Sequence, residues 1–321
     1  MVLNIQIIEV LSLDFLKYSH RVSKYNSYFW TQLKMEFSSS SNSKGGVSNH
    51  SLKSDSAGVQ NCISVRLMNR PIDFISIKNL IQVMIYACKN NSKLFIASCN
   101  IHSFNMSMQV PWFYDYLNKA NFVRCDGMGI LKTVNYLGLD ISTEYKASGT
   151  NLVPRLLEES RDNNLSFFFL GSKPSVLEKA INNVKQKYPG IQIQGYHGYF
   201  DKENSEENAE VLEKISKMRP NVLIVGMGRP IQEHWIHQHR DKIEANVVLP
   251  CGAVIDRLAG KVPNAPDWMT NVGLEWLYRL SREPKRLSSR YLLGNPAFLL
   301  NVLLCKSYTE PMKIKDRYVF I

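Results

Sequence analysis

The sequence lacks the motifs by which several classes of site are usually recognised. Its six cysteines have no C-x-x-C spacing, and neither D-x-D nor H-E-x-x-H occurs. The usual zinc modules are therefore excluded, and nothing indicates a metal ion that holds a nucleotide diphosphate. The glycine turns also fit neither the Walker A pattern nor G-x-G-x-x-G. Scattered cysteines favour reduced thiols in a cytosolic protein.

Long apolar runs are missing as well. The run at residues 297–300 near the C-terminus is far too short to span a bilayer. The apolar N-terminal stretch contains Glu9 and Asp14 and has no basic lead, so we expect no signal peptide. With 321 residues, the chain is long enough for one large or two modest domains.

Positive charge is abundant, and it is unevenly distributed. The net charge is +11, and residues 279–321 contain nine Lys or Arg against three Asp or Glu. Such a tail is suited to anionic phospholipid, a diphosphate or nucleic acid, although a solvated basic face explains the composition equally well. Nucleic acid is not expected, because the arginines are not part of a recognised binding module.

The order of the segments predicts an α/β fold. Short buried strands alternate with helices of roughly 10–15 residues between about 94 and 260, which is typical of a doubly wound, mainly parallel sheet with helices on both faces. We expect three parts: an N-terminal extension with a Ser/Asn/Gly-rich linker (1–62), an α/β domain (63–267) and a basic helical appendage (268–321).

A strand, a glycine turn and a helix follow one another at residues 222–235. Four apolar residues precede Gly226 and Gly228, and Pro230 suits the first turn of a helix. Free N–H groups and the positive end of a helix dipole meet at such a turn, which favours an anion site. Gln232 can donate and accept hydrogen bonds to a uracil or a sugar. Closure of the turn alone is an equally good interpretation.

Further glycine turns follow other predicted strands. Asp126, Gly171, Gly226 and Gly252 each come directly after a strand, so a parallel sheet brings them to one edge. A carboxylate there can act as a general base, which makes Asp126 the candidate catalytic residue. The alternative is an Asp that caps the next helix or its own turn.

Three polar residues are candidates for sugar recognition. Ser98 and Asn100 end the preceding strand and can bind a sugar, or serve only as turn residues. Asp256 can hold a ribose or sugar hydroxyl, or equally a nearby Arg.

Arginines recur near the C-terminus at spacings that share one face of a continuous helix. They are Arg279, Arg282, Arg286 and Arg290, and Pro284 is expected to kink or restart the helix between them. With apolar residues nearby, this row is suited to a lipid diphosphate at a membrane surface. The alternative is a helix pair docked on the sheet.

Taken together, these segments resemble the WecG/TagA/CpsF family of bacterial glycosyltransferases over residues 72–300. The resemblance rests on C-D-G-M-G at 125–129, A-S-G-T at 147–150, F-L-G at 169–171, G-Y-H-G-Y-F at 195–200, G-M-G-R-P-I-Q-E at 226–233, residues 251–260, G-L-E-W-L-Y-R at 273–279, and the pairs 283–284 and 290–291. It implies an inverting, metal-independent transfer without a cofactor. The donor would be UDP-N-acetylmannosamine, its uronic acid or a glucose-type UDP-sugar, and the acceptor an undecaprenyl-diphosphate-linked saccharide of a cell-surface polymer.

The resemblance also implies roles for individual residues. The family's base falls on Asp126, its hydroxyl residue on Ser98, its Asn on Asn100 and its Gln on Gln232. The adjoining substrate-binding positions are Gly127, Lys146, Gly171, Gly226, Gly228, Gly252 and Asp256. The appendage that holds the lipid diphosphate falls on about 268–306, with Arg279, Arg286 and Arg290 as phosphate ligands. A peripheral protein on the inner face of the cell membrane, able to form homo-oligomers, is implied.

Three positions depart from the family pattern. Lys146, Asn264 and Ser289 stand where the family usually has Arg. Because Lys cannot form the bidentate fork of Arg and Asn is uncharged, donor preference or phosphate affinity can differ. These departures motivate one alternative of a different class, a non-catalytic nucleotide-sugar-binding or scaffold protein of a polysaccharide assembly complex.

Overall fold

A computed structural model describes residues 60–308 and 317–320, which belong to one compact unit. Apart from its last three residues, the expected N-terminal extension lies outside the described residues. The strands are β1 (Gln60–Leu67), β2 (Arg70–Ile75), β3 (Leu94–Cys99), β4 (Phe122–Cys125), β5 (Ser166–Gly171), β6 (Gln192–Tyr196), β7 (Val222–Gly226), β8 (Val247–Pro250) and β9 (Arg317–Phe320). 

Helices connect these strands and continue beyond the last parallel one. They are α1 (Ile77–Lys89), α2 (Ile101–Gln109), α3 (Pro111–Lys119), α4 (Met128–Tyr136), α5 (Gly149–Asn163), α6 (Pro174–Lys187), α7 (Ser205–Met218), α8 (Ile231–His239), α9 (Val254–Leu258), α10 (Asp267–Val272), α11 (Glu275–Arg282), α12 (Pro284–Ser288) and α13 (Gly294–Tyr308). A π-helical turn, Ser289–Leu293, joins the last two.

The nine strands form one sheet in the order β6-β5-β7-β8-β3-β4-β2-β1-β9. All pairings from β6 to β2 are parallel, and only β1 runs antiparallel, between β2 and β9. The chain leaves β3 toward β4 on one side, whereas β8 on the other side arrives from the β5–β7 half. The crevice between β3 and β8 is therefore the topological switch point, where ligands bind in such sheets.

Two apolar clusters lie on opposite faces of this sheet. In β5, Phe168 and Leu170 point into one cluster, whereas Phe167 and Phe169 point into the other. This alternation follows from the two-residue period of a strand, and strands buried on both faces read as continuous apolar runs. Helices α1, α5, α6 and α9 cover one face, while α2, α3, α4, α7 and α8 cover the other. The expected doubly wound α/β fold is confirmed.

The structure corrects several local expectations. The hairpin of β1 and β2 and the helices α2 and α4 had not been predicted. Helix α5 begins at Gly149, and Ser148 occupies its N-cap position without a capping hydrogen bond from its side chain. Asp126 does not cap α4 either, since Gly127 occupies that position.

The C-terminal segment, residues 275–308, is interrupted as Pro284 indicated. Pro284 is the first residue of α12, so the arginine row is divided among α11, α12 and the π-helical turn. Helix α13 packs against α2, where the rings of Phe104 and Phe298 meet edge to face at 5.1 Å. The π-helical turn and the other side of α13 leave leucines exposed: Leu292, Leu293, Leu299, Leu300, Leu303 and Leu304.

Within the described residues, none of the helices has the length and apolar character needed to cross a membrane.

Candidate functional site

The carboxyl ends of the central strands meet around the switch point. Asn100 follows β3, Asp126 follows β4, and Gly252 lies just beyond the end of β8. A hydrogen bond from Asp126 N to Cys99 O, 2.8 Å long, ties the first two turns together. The turns after β3, β4 and β8 thus lie at one edge of the sheet, where parallel strands end together.

Asp126 is held by two donors on one oxygen. Its Oδ1 accepts from Arg124 Nη1 at 2.9 Å and from the backbone N of Gly149 at 3.2 Å. Oδ2 has no hydrogen-bond donor among the described residues, and about a fifth (22%) of the side chain is exposed. One oxygen of the carboxylate is therefore fixed by the protein, while the other keeps its capacity to accept a proton.

Arg124 is a buried cation within an apolar strand. Its side chain is 1% exposed, and beyond Asp126 it donates to the carbonyl oxygens of Ala147 and Pro250. One guanidinium group thus joins the ends of β4 and β8 to the start of α5. A buried charge is tolerated only when it is paired and hydrogen-bonded, as here.

Arg229 joins three elements at the same edge. Its Nη2 donates to Ser98 Oγ at 2.8 Å, its Nη1 to Asn100 Oδ1 at 3.0 Å, and its Nε to Glu233 Oε1 at 2.9 Å. Asn100 also accepts from Ser103 N as the N-cap of α2. Burial acts to lower the pKa of Arg229, but the negative charge and hydrogen bond of Glu233, together with Asp126, raise it above its ordinary value.

The side chain of Gln232 lies between two glycine turns. Its Oε1 accepts from Gly228 N at 3.2 Å and Gly252 N at 3.0 Å, and its Nε2 donates to Glu233 Oε1 at 2.9 Å. The residue is 3% exposed. Its oxygen is therefore committed to shaping the loops, which leaves one amide hydrogen for a ligand. A direct contact with a uracil or sugar remains a prediction.

The glycine turns allow β5 and β7 to end in close contact. Gly171 has a φ of +152°, and a Cβ on it would collide with the backbone of Gly226. A Cβ on Gly226 would lie 2.9 Å from Gly252 O. Gly228 and Gly252 also have positive φ values, +81° and +54°. Only glycine permits both this backbone and the open surface beside it.

The remaining candidates occupy the rim. Ser172 Oγ donates to Asp256 Oδ1 at 3.0 Å, and Lys261 Nζ lies 3.8 Å from the same oxygen. Lys146 Nζ reaches the carbonyl oxygen of Thr270, 3.4 Å away, in the C-terminal part of the chain. Gly127 begins α4. Their proposed contacts with a substrate remain predictions.

The appended arginines differ in their surroundings. Arg286 is exposed, and its Nε donates to Glu283 Oε2 at 2.6 Å. Arg279 is half-buried. The Nε of Arg290 is buried without a hydrogen-bond partner within the described residues. Burial lowers the pKa of Arg290 to about 10, and the positive charges of Arg229 and Arg279 act in the same direction.

His102 adds to this cationic region. It lies in the first turn of α2, and burial lowers its pKa to about 3, with Arg290 and Arg229 contributing. The imidazole is therefore neutral at neutral pH, mainly because burial disfavours its charged form and in part because Arg290 and Arg229 lie nearby. The positive charge of these two guanidinium groups favours an anionic ligand in this region.

Sequence reasoning overlooked Arg124, Arg229, Glu233 and His102. Arg124 had a visible signal, since an arginine inside a buried apolar strand directly before Asp126 demands a partner. Arg229 stood within the glycine turn, but no sequence pattern indicates that it crosses to Ser98.

Comparison with known proteins identifies the family. A model of the family described as "Glycosyl transferase WecG/TagA/CpsF family" matches residues 65–311, over three quarters of the chain. The chain belongs to this glycosyltransferase family. The expected resemblance is confirmed, and the match includes every predicted site residue from Ser98 to Arg290.

The chain is also similar to curated enzymes of Staphylococcus aureus. The N-acetylglucosaminyldiphosphoundecaprenol N-acetyl-beta-D-mannosaminyltransferases of Staphylococcus aureus strains MW2 and NCTC 8325 / PS 47 are each 28% identical to the chain over 228 residues. The aligned region is 71% of this chain and 87% of each relative. The glycosyltransferase is thus similar to these enzymes over most of both lengths.

Proposed function

We propose that this glycosyltransferase transfers N-acetylmannosamine, with inversion and without a metal ion, from a UDP-sugar to an undecaprenyl-diphosphate-linked N-acetylglucosamine. The observation that carries the proposal is the carboxylate of Asp126 at the carboxyl end of β4, which Arg124 and Gly149 fix through Oδ1, while Oδ2 has no donor among the described residues. The printed names of the Staphylococcus aureus relatives supply the sugar and the acceptor.

In the proposed reaction, Asp126 is the general base. Oδ2 takes the proton of an acceptor hydroxyl as its oxygen attacks the anomeric carbon of the donor. The bond between that carbon and the diphosphate breaks on the opposite face, and UDP leaves with the electron pair. One displacement of this kind inverts the anomeric configuration, and a correctly placed base contributes typically 10²–10⁴-fold to the rate.

The leaving UDP needs positive charge and hydrogen-bond donors. Both are found on the side of Asp126 where the turns at Gly171 and Gly228 lead into α6 and α8 and where Arg229 is buried. Helix N-termini and guanidinium groups stabilise developing phosphate charge. These groups support a reaction in which the protein, rather than a metal ion, balances the charge of the diphosphate.

The acceptor is proposed to reach this edge from a membrane surface. The C-terminal segment combines Arg279, Arg286 and Arg290 with six exposed leucines. Leucines that enter the interface and arginines that bind phosphate are the two features that peripheral lipid-binding helices require. We therefore propose residues 268–321 as a membrane-binding appendage to the catalytic α/β domain 63–267, which acts at the inner face of the cell membrane.

The decisive experiment is a product assay with the full chain. UDP-N-acetylmannosamine, its uronic acid and UDP-glucose are each incubated with a short-chain GlcNAc-diphosphate lipid, with and without EDTA, and the products are separated and their anomeric linkage is read by NMR. We expect a β-linked product from UDP-N-acetylmannosamine at the same rate in EDTA. Loss of product in EDTA would reject metal independence, and binding of UDP-sugars without any product would favour the non-catalytic alternative.

A further inference from the structure

A cavity lies near the carboxyl ends of β2 and β4. It has a volume of about 540 Å³ and is bordered by the beginnings of α1, α4 and α5, by the turn around Thr143 and by Thr270. Most of its lining side chains are polar, including Ser76 and Asn151. We call it the α1–α5 cavity. Its size and hydrogen-bonding surface suit a sugar and an attached charged group.

Three cations surround this cavity. Lys78 extends from the first turn of α1, Arg155 from α5, and Lys146 from the loop before α5, whereas Glu144 is the only carboxylate in the lining. Lys146 is engaged with Thr270 O. Lys78 and Arg155 have no hydrogen bond or ion pair with any described residue, and both are exposed. The lining therefore carries an excess of positive charge that the protein itself does not neutralise.

The cavity is connected to the candidate base through short stretches of chain. Met128, which lines it, is two residues beyond Asp126. Gly149, whose N–H donates to Asp126 Oδ1, is two residues before Asn151 in the cavity wall. A ligand in the cavity can thus present a hydroxyl or an anomeric carbon near the carboxylate while its charge lies between Lys78 and Arg155.

We propose that the α1–α5 cavity is a second anion subsite, which binds a phosphate or carboxylate group carried by a sugar substrate through Lys78 and Arg155. The inference rests on the proposed function, because it assigns the cavity to a substrate of that reaction. It separates two anions: the UDP diphosphate lies on the side of Arg229, and the second anion lies on the side of α1 and α5. The second anion has two sources. It is either the carboxylate of a uronic acid donor or the acceptor's diphosphate, which would then be shared between this cavity and the arginines of the C-terminal segment.

The N-termini of two long helices add positive electrostatic potential to the cavity. Helix α1 has 13 residues and α5 has 15, and each begins at the cavity wall. Their dipoles favour negative charge at these ends. The contact of Lys146 with Thr270 O also makes the C-terminal part of the chain one wall of the cavity, so an acceptor held there can remain in contact with the membrane-facing segment.

The test uses the Lys78→Ala/Arg155→Ala double variant of the full chain. Calorimetric titration measures Kd for UDP, UDP-N-acetylmannosamine, UDP-N-acetylmannosaminuronic acid, a short-chain GlcNAc-diphosphate lipid and an uncharged alkyl glycoside of GlcNAc. If the acceptor's diphosphate is the anion, the Kd of the diphosphate lipid alone rises, by about tenfold or more. If the donor's carboxylate is the anion, the Kd of the uronic acid donor alone rises by that factor. UDP binding stays unchanged in both cases.

The matched control removes the same charge from the same helices. Lys89 and Arg161, replaced in Lys89→Ala/Arg161→Ala, lie in the last turns of α1 and α5. At a rise of 1.5 Å per residue they are about 16 Å from Lys78 along α1 and about 9 Å from Arg155 along α5. Both side chains are exposed, as are Lys78 and Arg155. This control should leave every Kd within about twofold of the wild type, since screened charges at that distance contribute little.

The outcomes separate the cavity from the reaction. Kd values of the Lys78/Arg155 variant equal to those of the control for all five probes would overturn the subsite. The subsite would also be overturned if the binding of UDP itself weakened as much as that of the other charged probes, because the cavity would then bind the UDP diphosphate. If the Lys78/Arg155 variant loses binding selectively but the wild-type protein forms no product, the subsite is retained and the proposed function is rejected.

Discussion

The sheet edge and the C-terminal segment use arginine in opposite ways. At the edge, Arg124 and Arg229 are almost completely buried and donate to carboxylates, carbonyls and hydroxyls of four or more elements. In the C-terminal segment, Arg290 keeps a buried Nε without a hydrogen-bond partner in the described part of the chain, and α13 exposes a row of leucines. Internal bonds fix the first region, whereas the second retains groups suited to an external ligand.

This contrast suggests a division of labour. A reaction centre requires charges held in place before the substrate arrives, because preorganised groups cost no rearrangement at the transition state. A surface that binds a lipid requires accessible apolar area and cations that remain available for phosphate. The following predictions test whether the two regions differ in this way.

The largest effect is expected from Asp126→Asn. Asparagine retains an oxygen for Arg124 and Gly149 but cannot take a proton, so the transfer rate should fall by about 10³-fold or more while UDP binding stays within about twofold. Product formation and calorimetric titration measure the two quantities. Asp140→Asn, at an exposed position after α4, is the control. Full activity of Asp126→Asn would remove the base assignment.

Arg229→Met should destabilise the fold severely. It leaves Glu233, which is 1% exposed, as a buried carboxylate without its cation, so the free energy of unfolding in urea should fall by about 3–5 kcal/mol. The control is the exposed ion pair in which Arg219 Nε lies 3.1 Å from Glu244 Oε2. Arg219→Met should lower the free energy of unfolding by less than about 1 kcal/mol. Arg229→Met/Glu233→Met should recover much of the loss. Equal effects at positions 229 and 219 would contradict the rigid edge.

Gly171→Ala should have a smaller but clear effect. The φ of +152° and the approach of the Gly226 backbone both oppose a Cβ, so we expect a loss of about 2–3 kcal/mol and weaker UDP binding. Gly190→Ala, with a φ of +87° but no atom within 4 Å of the added Cβ, isolates the backbone contribution. Thermal unfolding and UDP titration compare the two variants. Indistinguishable results would mean that steric closeness at Gly171 is unimportant.

Leu300→Gln/Leu304→Gln should leave stability nearly unchanged. Both side chains are about half exposed, at 52% and 49%, so the free energy of unfolding should stay within about 1 kcal/mol. Binding to vesicles that contain anionic lipid should weaken at least about tenfold, because two leucines no longer enter the interface. Sedimentation with vesicles measures this binding, and Tyr86→Gln on α1 is the control. Unchanged sedimentation would reject a membrane role for α13.

Local patterns predicted much of the α/β framework. The apolar run before Gly226 predicted β7, and the alternation of short strands with helices predicted the doubly wound sheet, because burial on both faces and one-sided burial leave different periods in the sequence. The β1–β2 hairpin escaped detection, since two antiparallel strands at the end of a parallel sheet show no distinctive pattern.

The sequence by itself determined which residues follow the strands, and therefore that Asp126, Gly226 and Gly252 share an edge of a parallel sheet. Tertiary structure alone decided which of them touch. The guanidinium group of Arg229 reaches Ser98 across 131 residues of chain, and Gln232 contacts Gly252 rather than open solvent. Such contacts depend on the strand order β7-β8-β3-β4, which brings distant segments side by side. Local propensity carries no record of that order, because it arises from how the two halves of the sheet pack together.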